Sequence, residues 1–436
     1  MPVDIKPDPL YALSHLLDPK RLPWDSSKDT DSEFTPHVDV TVRRASRMET
    51  VAVLHGASFM GHVALKRKFA KDPDIVGIRD VAVNLAYCVG LEGEPVGVAS
   101  VQAWGRPMAQ RMPVHGDPNL ADDTELQNSR TSIHHTDDLF RAVLAETGSK
   151  CRVVHVFDRD LRCADALADL VQNGRTFVVA VRSVNRKHSE QCERFAKLIE
   201  SVADTDVKST QTIVVNQRIG TRHMHLVNPA AKRKRDKRGK AVPRVQTDDL
   251  SQTFLDTYCA ELEFRAMKTD LSGVVEGASD ILANTPLTIV RVREGGEYPG
   301  FVPVSWDLLT NLPAESEEDL AFVAHCYRQR FQAVEFHIEL KAGCLSDRGI
   351  FEFGDGILGR LLSALTMAAQ QERIKWFERE RGDADASEVI DEDELQSLQS
   401  LLIQAGMSVS KRLTVQEAIT AMKALGARVM KDKDFE

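Results

Sequence analysis

The alternation of apolar and polar positions predicts a β-hairpin and then a βαβ unit in the first half of the chain. Two antiparallel strands joined by a tight turn are predicted from the segments IVGIRDVAVNLAY (75–87) and GVASVQAWG (97–105). A helix is predicted over Asp137–Glu146. CRVVHVFDRD (151–160) is a continuous apolar run that ends in acid, which is typical of a central buried strand. A helix with Gly174 as its C-cap and the strand TFVVAVRS complete the unit.

Strand-like segments continue over residues 208–305, and helical periodicity dominates after them. We expect one helix over Ser316–Lys341 and a last helix that opens with the capping box TVQE at Thr414–Glu417. Ahead of the hairpin, residues 1–45 are rich in Pro and Asp and lack sustained periodicity. A helical segment is predicted from about Met48 onward.

The composition is that of a globular protein with more than one domain. The chain has 436 residues, of which 42% are apolar and 28% are charged. No apolar run approaches the ~20 residues of a membrane span, and the first residues lack a secretion signal. Seven scattered cysteines without a CxxC pair argue against a zinc site or a disulfide framework. We therefore expect a soluble, cytoplasmic protein.

Charge is distributed unevenly along the chain. The net charge of −9 argues mildly against nucleic acid as a partner, because phosphate binding uses clustered Lys and Arg. One such cluster exists, in a segment with a single acidic residue: Lys232, Arg233, Lys234, Arg235, Lys237, Arg238, Lys240 and Arg244. It is interpreted either as a solvated loop tip or as a DNA contact.

The segment CYRQRFQAVEFHIELKAG (326–343) places polar side chains of three kinds on one helical face. At 100° per residue, Tyr327, Arg330, Val334 and Lys341 fall within about 60° of one another. The simplest interpretation is a solvated stripe on an amphipathic helix. The neighbouring sequence changes that interpretation.

Two aspartates stand at strand positions suited to metal binding. Asp80 lies inside the first strand of the hairpin, and Asp158 follows the apolar run VVHVF. Carboxylates at adjacent strand positions can share a divalent ion, because both are held by rigid elements. The alternative for each is a helix N-cap.

With these residues the chain resembles the bacterial DDE transposases of the insertion-sequence-four family. The signature of that family is Tyr, two residues, Arg, three residues, Glu, six residues and Lys. Tyr327, Arg330 and Lys341 are in register with it, and Val334 stands at the glutamate position.

Further segments carry the resemblance over residues 70–430, approximately. SWDLLTNLPAESEEDL is similar to the block before the signature and contains Trp306. VVHVFDRDLRCADAL is similar to the second-aspartate block, which assigns Asp158 and Arg159. IVGIRDVAVNLAY is similar to the first-aspartate block, which assigns Asp80.

The resemblance implies an α/β fold: an RNase H-like mixed sheet flanked by helices, with a β-rich insertion before the signature helix and a helical C-terminal region. The implied domains are an N-terminal arm and helical segment over 1–70, a core over 71–382 with its insertion at about 208–305, and a C-terminal region over 383–436. The end-recognition domain of the family is not recognisable in residues 1–70.

The resemblance also implies a chemistry. Two Mg²⁺ or Mn²⁺ ions held by Asp80, Asp158 and a third acid would activate water to cut DNA at transposon ends. Tyr327, Arg330, Lys341 and Arg159 would bind DNA near the cut, and Trp306 would stack on a flipped base. Lys232, Arg233, Lys234 and Arg235 are further candidate DNA contacts. The expected assembly is a homodimer on double-stranded DNA.

The chain departs from the family at the third acid. A buried aliphatic side chain at Val334 cannot ligate Mg²⁺, which takes oxygen donors. Glu335 is a doubtful substitute, because it lies about 100° around the helix and would need a π-bulge to reach the ion. The usual threonines after the first aspartate are Val81 and Ala82 here.

Three hypotheses follow from this pattern. The first is an active transposase in which Glu335 is a displaced metal ligand. The second is a catalytically silent relative that binds DNA or a transposase partner, as an inhibitor or co-opted regulator. The third is a folded protein without a DNA role. The sequence favours a DDE transposase that is catalytically impaired.

Overall fold

The structure, a computed structural model, describes fourteen stretches of the chain. They are residues 24–25, 34–62, 78–107, 123–157, 164–181, 197–216, 257–269, 271, 281, 284–295, 303–340, 354–390, 392–404 and 412–421. The fold is α/β, and the chain divides into two compact units. The first unit comprises 1–111, 128–152 and 332–436, and the second comprises 112–127 and 153–331.

Among the described residues, the first unit contains four antiparallel strands. They are β1 (Trp24–Asp25), β2 (Thr50–His62), β3 (Ile78–Gly90) and β4 (Pro95–Pro107), in the spatial order β1-β4-β3-β2. The predicted hairpin is confirmed as β3 and β4. Its turn closes through a hydrogen bond from Gly90 N to Glu94 O at 2.8 Å, and Gly93 has the positive φ of 86° that favours glycine.

The helix predicted from Met48 is wrong, because that segment forms strand β2. Val51 and Val53 are β-branched and fully buried, and β2 pairs with β3 from Val51 opposite Gly90 onward. Pairing between distant segments outweighs the local pattern. The two strands pair within one sheet of the first unit.

Helices flank this sheet. In the first unit they are α1 (Phe34–Ala45), α2 (Asp123–Thr147, of which residues 128–147 belong here), α6 (Gly354–Glu380) and α7 (Glu392–Gln404). Helix α2 begins well before the predicted start at Asp137. Helix α1 packs so closely on β4 that a Cβ added to Gly97 would collide with Thr41 Oγ1.

The C-terminal region packs on α6 within the same unit. Trp376 and Phe377 of α6 form a buried cluster with Val415 and Ile419. The predicted capping box is confirmed, since Glu417 N donates to Thr414 Oγ1 at 3.2 Å and Thr414 N donates to Glu417 Oε2 at 2.9 Å.

The strands described in the second unit form a mixed sheet. Its strands are β5 (Arg152–Phe157), β6 (Thr176–Ala180), β7 (Ser209–Asn216), β8 (Thr257–Thr269), β9 (Leu287–Glu294) and β10 (Ser305–Thr310), in the order β5-β6-β10-β9-β8-β7. Strands β5 and β6 are parallel and are joined by α3 (Ala164–Gln172), so the predicted βαβ unit is confirmed. Gly174 follows that helix with a φ of 66°.

The strands expected to form an insertion are continuous with this sheet. Strand β10 pairs with β6 on one side and with β9 on the other, and Leu308 lies opposite both Ala180 and Val290. Strands β8 and β7 extend the sheet beyond β9.

The helix expected over Ser316–Lys341 is divided in two. Helix α4 (Glu317–Arg328) begins with a capping box between Ser316 and Asp319, and α5 (Arg330–Glu339) follows directly. Gln329 keeps helical dihedrals, with φ −59° and ψ −18°, but its N–H bonds to Cys326 O, three residues back. In the part of the chain described, no helix is long and apolar enough to cross a membrane.

Candidate functional site

Three residues assigned through the family resemblance lie together in the second unit. Trp306 is on β10, Tyr327 is in the last turn of α4, and Arg330 is the first residue of α5. The Trp306 and Tyr327 rings meet edge to face, with centroids 5.2 Å apart and an interplanar angle of 70°. These residues therefore form a packed cluster, which we call the Trp306–Tyr327–Arg330 cluster.

The guanidinium of Arg330 rests on aromatic rings. Its Cζ atom lies 4.8 Å from the centroid of the Tyr327 ring and 4.5 Å from that of Phe331. Both distances are within the range of a cation–π interaction. Arg330 is only 7% exposed. Its surroundings, more than solvent, therefore set the orientation of the guanidinium.

Burial of this cluster excludes the interpretation as a solvated stripe. Tyr327 and Trp306 are 3% and 4% exposed. The Trp306 ring is covered by protein in this arrangement, so stacking on a flipped base requires that the ring be uncovered.

Val334 is exposed, contrary to the expectation of a buried aliphatic residue. It is 45% exposed in the middle of α5. The position that carries the family's glutamate therefore faces away from the packed core of its unit and presents a methyl surface without an oxygen donor.

Glu335 lies close enough to α6 of the same unit for the charges of that helix to act on its carboxyl. Burial raises the pKa of its carboxyl, and the charge of Glu372 raises it further, against the opposing charges of Arg379 and Lys375. Glu372 is 8% exposed and accepts a hydrogen bond from Lys375 Nζ at 3.2 Å. Helix α5 is α-helical throughout Arg330–Glu339, so the bulge needed to redirect Glu335 is not formed there.

Tyr87 of β3 lies beneath α5. Its ring stacks on Phe336 with centroids 4.4 Å apart and an angle of 22°. Its hydroxyl is buried and has no hydrogen-bond partner among the described residues. Burial and the nearby carboxylates of Glu372 and Glu335 raise the pKa of Tyr87.

The two aspartates are only partly described. The backbone of Asp80 lies in β3, opposite His62 of β2 and Arg106 of β4, and its side chain lies outside the described part. The remaining predicted site residues lie outside the described residues altogether: Asp158, Arg159, Lys341, Lys232, Arg233, Lys234 and Arg235.

The described residues do not complete a site for Mg²⁺ or Mn²⁺. In the ranges given above, no three His, Cys, Asp or Glu side chains are grouped so as to hold a metal ion. Val334 offers no oxygen ligand, and Glu335 is a half-buried carboxyl under the influence of the charged groups of α6.

Sequence reasoning missed Phe331, Glu372 and Tyr87. Phe331 had a local signal, since an aromatic residue directly follows the signature arginine. Glu372 and Tyr87 are far from α5 in sequence, and only the packing of α5 brings them near Glu335.

Comparison of the chain with protein-family models and with curated proteins gives no match.

Proposed function

We propose that this protein is a DNA-binding relative of the DDE transposases of the insertion-sequence-four family, with impaired strand cleavage. The observation that carries the proposal is the Trp306–Tyr327–Arg330 cluster, formed by residues of β10, α4 and α5, with an exposed valine one turn further along. Tyr327 contacts both Trp306 and Arg330. The position of the third acid is occupied by Val334, which has no carboxylate.

DNA binding is supported by the chemistry of the cluster. Arginine presents five N–H donors in one plane and matches the oxygens of a phosphate. The partner is double-stranded DNA, at the ends of a transposon, bound by a homodimer in the cytoplasm. In this proposal the core is RNase H-like, with Arg159, Lys341 and the basic run 232–235 as further DNA contacts.

Impaired cleavage is supported by the ligand set. In-line cleavage of a phosphodiester uses two ions held by three carboxylates. Asp80 and Asp158 would provide two of them for Mg²⁺ or Mn²⁺, and Val334 cannot provide the third. Loss of the third acid with retention of the arginine also fits a non-catalytic partner or regulator of an active transposase.

The proposal is tested by two measurements on the full chain. Fluorescence anisotropy should show binding to duplexes from the regions flanking the gene that weakens steeply with salt, because counterions are released from the phosphates. Incubation with supercoiled plasmid and Mn²⁺ should give little or no nicking. Absence of salt-dependent duplex binding would refute the proposal.

A further inference from the structure

An aromatic ring outside the transposase signature contacts the guanidinium of Arg330. The Phe331 centroid is 4.5 Å from Arg330 Cζ, which is shorter than the 4.8 Å to Tyr327. Phe331 is half-buried on the first turn of α5. Neither the signature nor the proposed function assigns it a role.

The contact does not compete with anion binding. A ring covers a face of the planar guanidinium, whereas the N–H donors lie in the plane and point outward from its edge. The ring itself therefore leaves the in-plane donors of Arg330 uncovered, and a phosphate that reaches this side chain, which is 7% exposed, would accept from them while the contact with Phe331 is kept.

The contact also restricts the arginine before DNA arrives. An arginine side chain has several rotatable bonds, and ordering them on binding costs conformational entropy. A ring that already limits the rotamers of Arg330 lowers that cost, which is the general effect of preorganisation on affinity.

We propose that Phe331 is a positioning residue, whose ring holds Arg330 in the orientation that binds a DNA phosphate. The inference rests on the proposed function. Phe331 acts through Arg330 and touches no DNA itself. The competing explanation is that Phe331 only packs at the start of α5.

The experiment compares duplex binding by the full chain and its variants, using fluorescence anisotropy over a series of salt concentrations. The variants are Phe331→Leu, Phe331→Tyr, Arg330→Ala and the double variant Phe331→Leu with Arg330→Ala. Phe322→Leu is the matched control, because Phe322 is a half-buried phenylalanine on the preceding helix. Thermal unfolding checks that each variant is folded, and Phe331→Met replaces Phe331→Leu if the latter is not.

Phe331→Leu should weaken binding at least about threefold, as expected for loss of one cation–π contact. The salt dependence should fall toward that of Arg330→Ala, which loses about 0.9 of slope for one phosphate contact. Phe331→Tyr should bind like the original chain, and Phe331→Leu should add nothing in the Arg330→Ala background. Phe322→Leu should leave affinity and slope unchanged.

Other results would overturn the inference. If Arg330→Ala weakens binding but Phe331→Leu or Phe331→Met does not, Phe331 has no positioning role and the proposed function stands. Equal losses from Phe331→Leu with and without Arg330, or no rescue by Phe331→Tyr, would assign Phe331 to packing alone. If the original chain binds no duplex, the proposed function fails and this inference fails with it.

Discussion

At the residue scale, the proposal of impaired cleavage turns on two neighbouring residues, Val334 and Glu335. Val334 has the helical position of the missing ligand and is 45% exposed. Glu335 has the carboxylate one position further on, where burial and the charge of Glu372 raise its pKa and the charges of Arg379 and Lys375 oppose that rise. Neither residue therefore places a carboxylate at the helical position of the family's glutamate.

Val334→Glu restores a carboxylate at the signature position. Because the site is exposed, the substitution should change the free energy of unfolding by less than about 0.5 kcal/mol. Mn²⁺ binding measured by calorimetry should become tighter, and nicking of supercoiled plasmid should rise above background if Asp80 and Asp158 provide the other ligands.

The matched control is Glu335→Gln in both backgrounds, which should change nicking little. Robust metal-dependent cleavage by the original chain that disappears in Glu335→Gln would contradict the impaired-enzyme proposal. It would show that Glu335 is the third ligand.

Substitutions at Tyr87 and Phe336 test the packing beneath α5. Its hydroxyl is buried without a hydrogen-bond partner in the described part of the chain, so removing it relieves a desolvation cost. Tyr87→Phe should leave the stability to urea unchanged or raise it by up to about 1 kcal/mol, while the stack on Phe336 is kept. Phe336→Leu, which removes the stack, should destabilise the protein. A clear loss of stability in Tyr87→Phe would reveal a partner for the hydroxyl.

At the element scale, the signature lies on two helices that meet at Gln329. Tyr327 closes α4, and Arg330 opens α5. The hydrogen bond from Gln329 N to Cys326 O tightens the backbone at this point without turning it out of helical conformation. The spacing of the stripe is therefore preserved across the junction.

The contact of α1 with β4 should make stability depend on pH. Val98 N lies 3.5 Å from His37 Nε2, which accepts only when unprotonated. Burial, and then the charge of Arg44, lower the pKa of His37 to about 4. Since the folded pKa is below the unfolded value of about 6.5, the contribution of His37 is present above pH ~6.5 and is lost as the pH falls toward about 4.

Urea unfolding at about pH 7.5 and pH 5 measures this effect. The free energy of unfolding of the original chain should fall by on the order of 1 kcal/mol more than that of His37→Gln, which cannot titrate. The same pH dependence in both proteins would show that His37 does not titrate in this way.

At the scale of the whole molecule, a chain of net charge −9 binds DNA only through local positive charge. The run 232–244 is the densest source of it in the sequence and lies outside the described residues. We expect it to form the exposed tip of a loop or hairpin.

Replacing Lys232, Arg233, Lys234 and Arg235 by Ser should weaken duplex binding and flatten its dependence on salt. Each lost phosphate contact removes about 0.9 from the slope of log affinity against log salt. Titrations at several salt concentrations measure the slope. An unchanged slope would mean that these four residues make no contact with DNA phosphates.

The sequence by itself determined the elements whose signals are local. The β3–β4 hairpin, the parallel β5–α3–β6 unit and the capping box at Thr414 follow from alternation, apolar runs and capping residues, which act over a few positions. The spacing of Tyr327, Arg330 and Val334 is equally a property of the sequence.

Only the tertiary structure decided what depends on distant partners. Residues 50–62 form a strand because they pair with β3, although the local pattern suggested a helix. Strands β7–β9 join the sheet because β10 pairs on both of its edges. The exposure of Val334, the charges that act on Glu335 and the contact of Arg330 with Phe331 depend on how α5 packs. Burial and charge contacts across a fold cannot be read from positions along one helix.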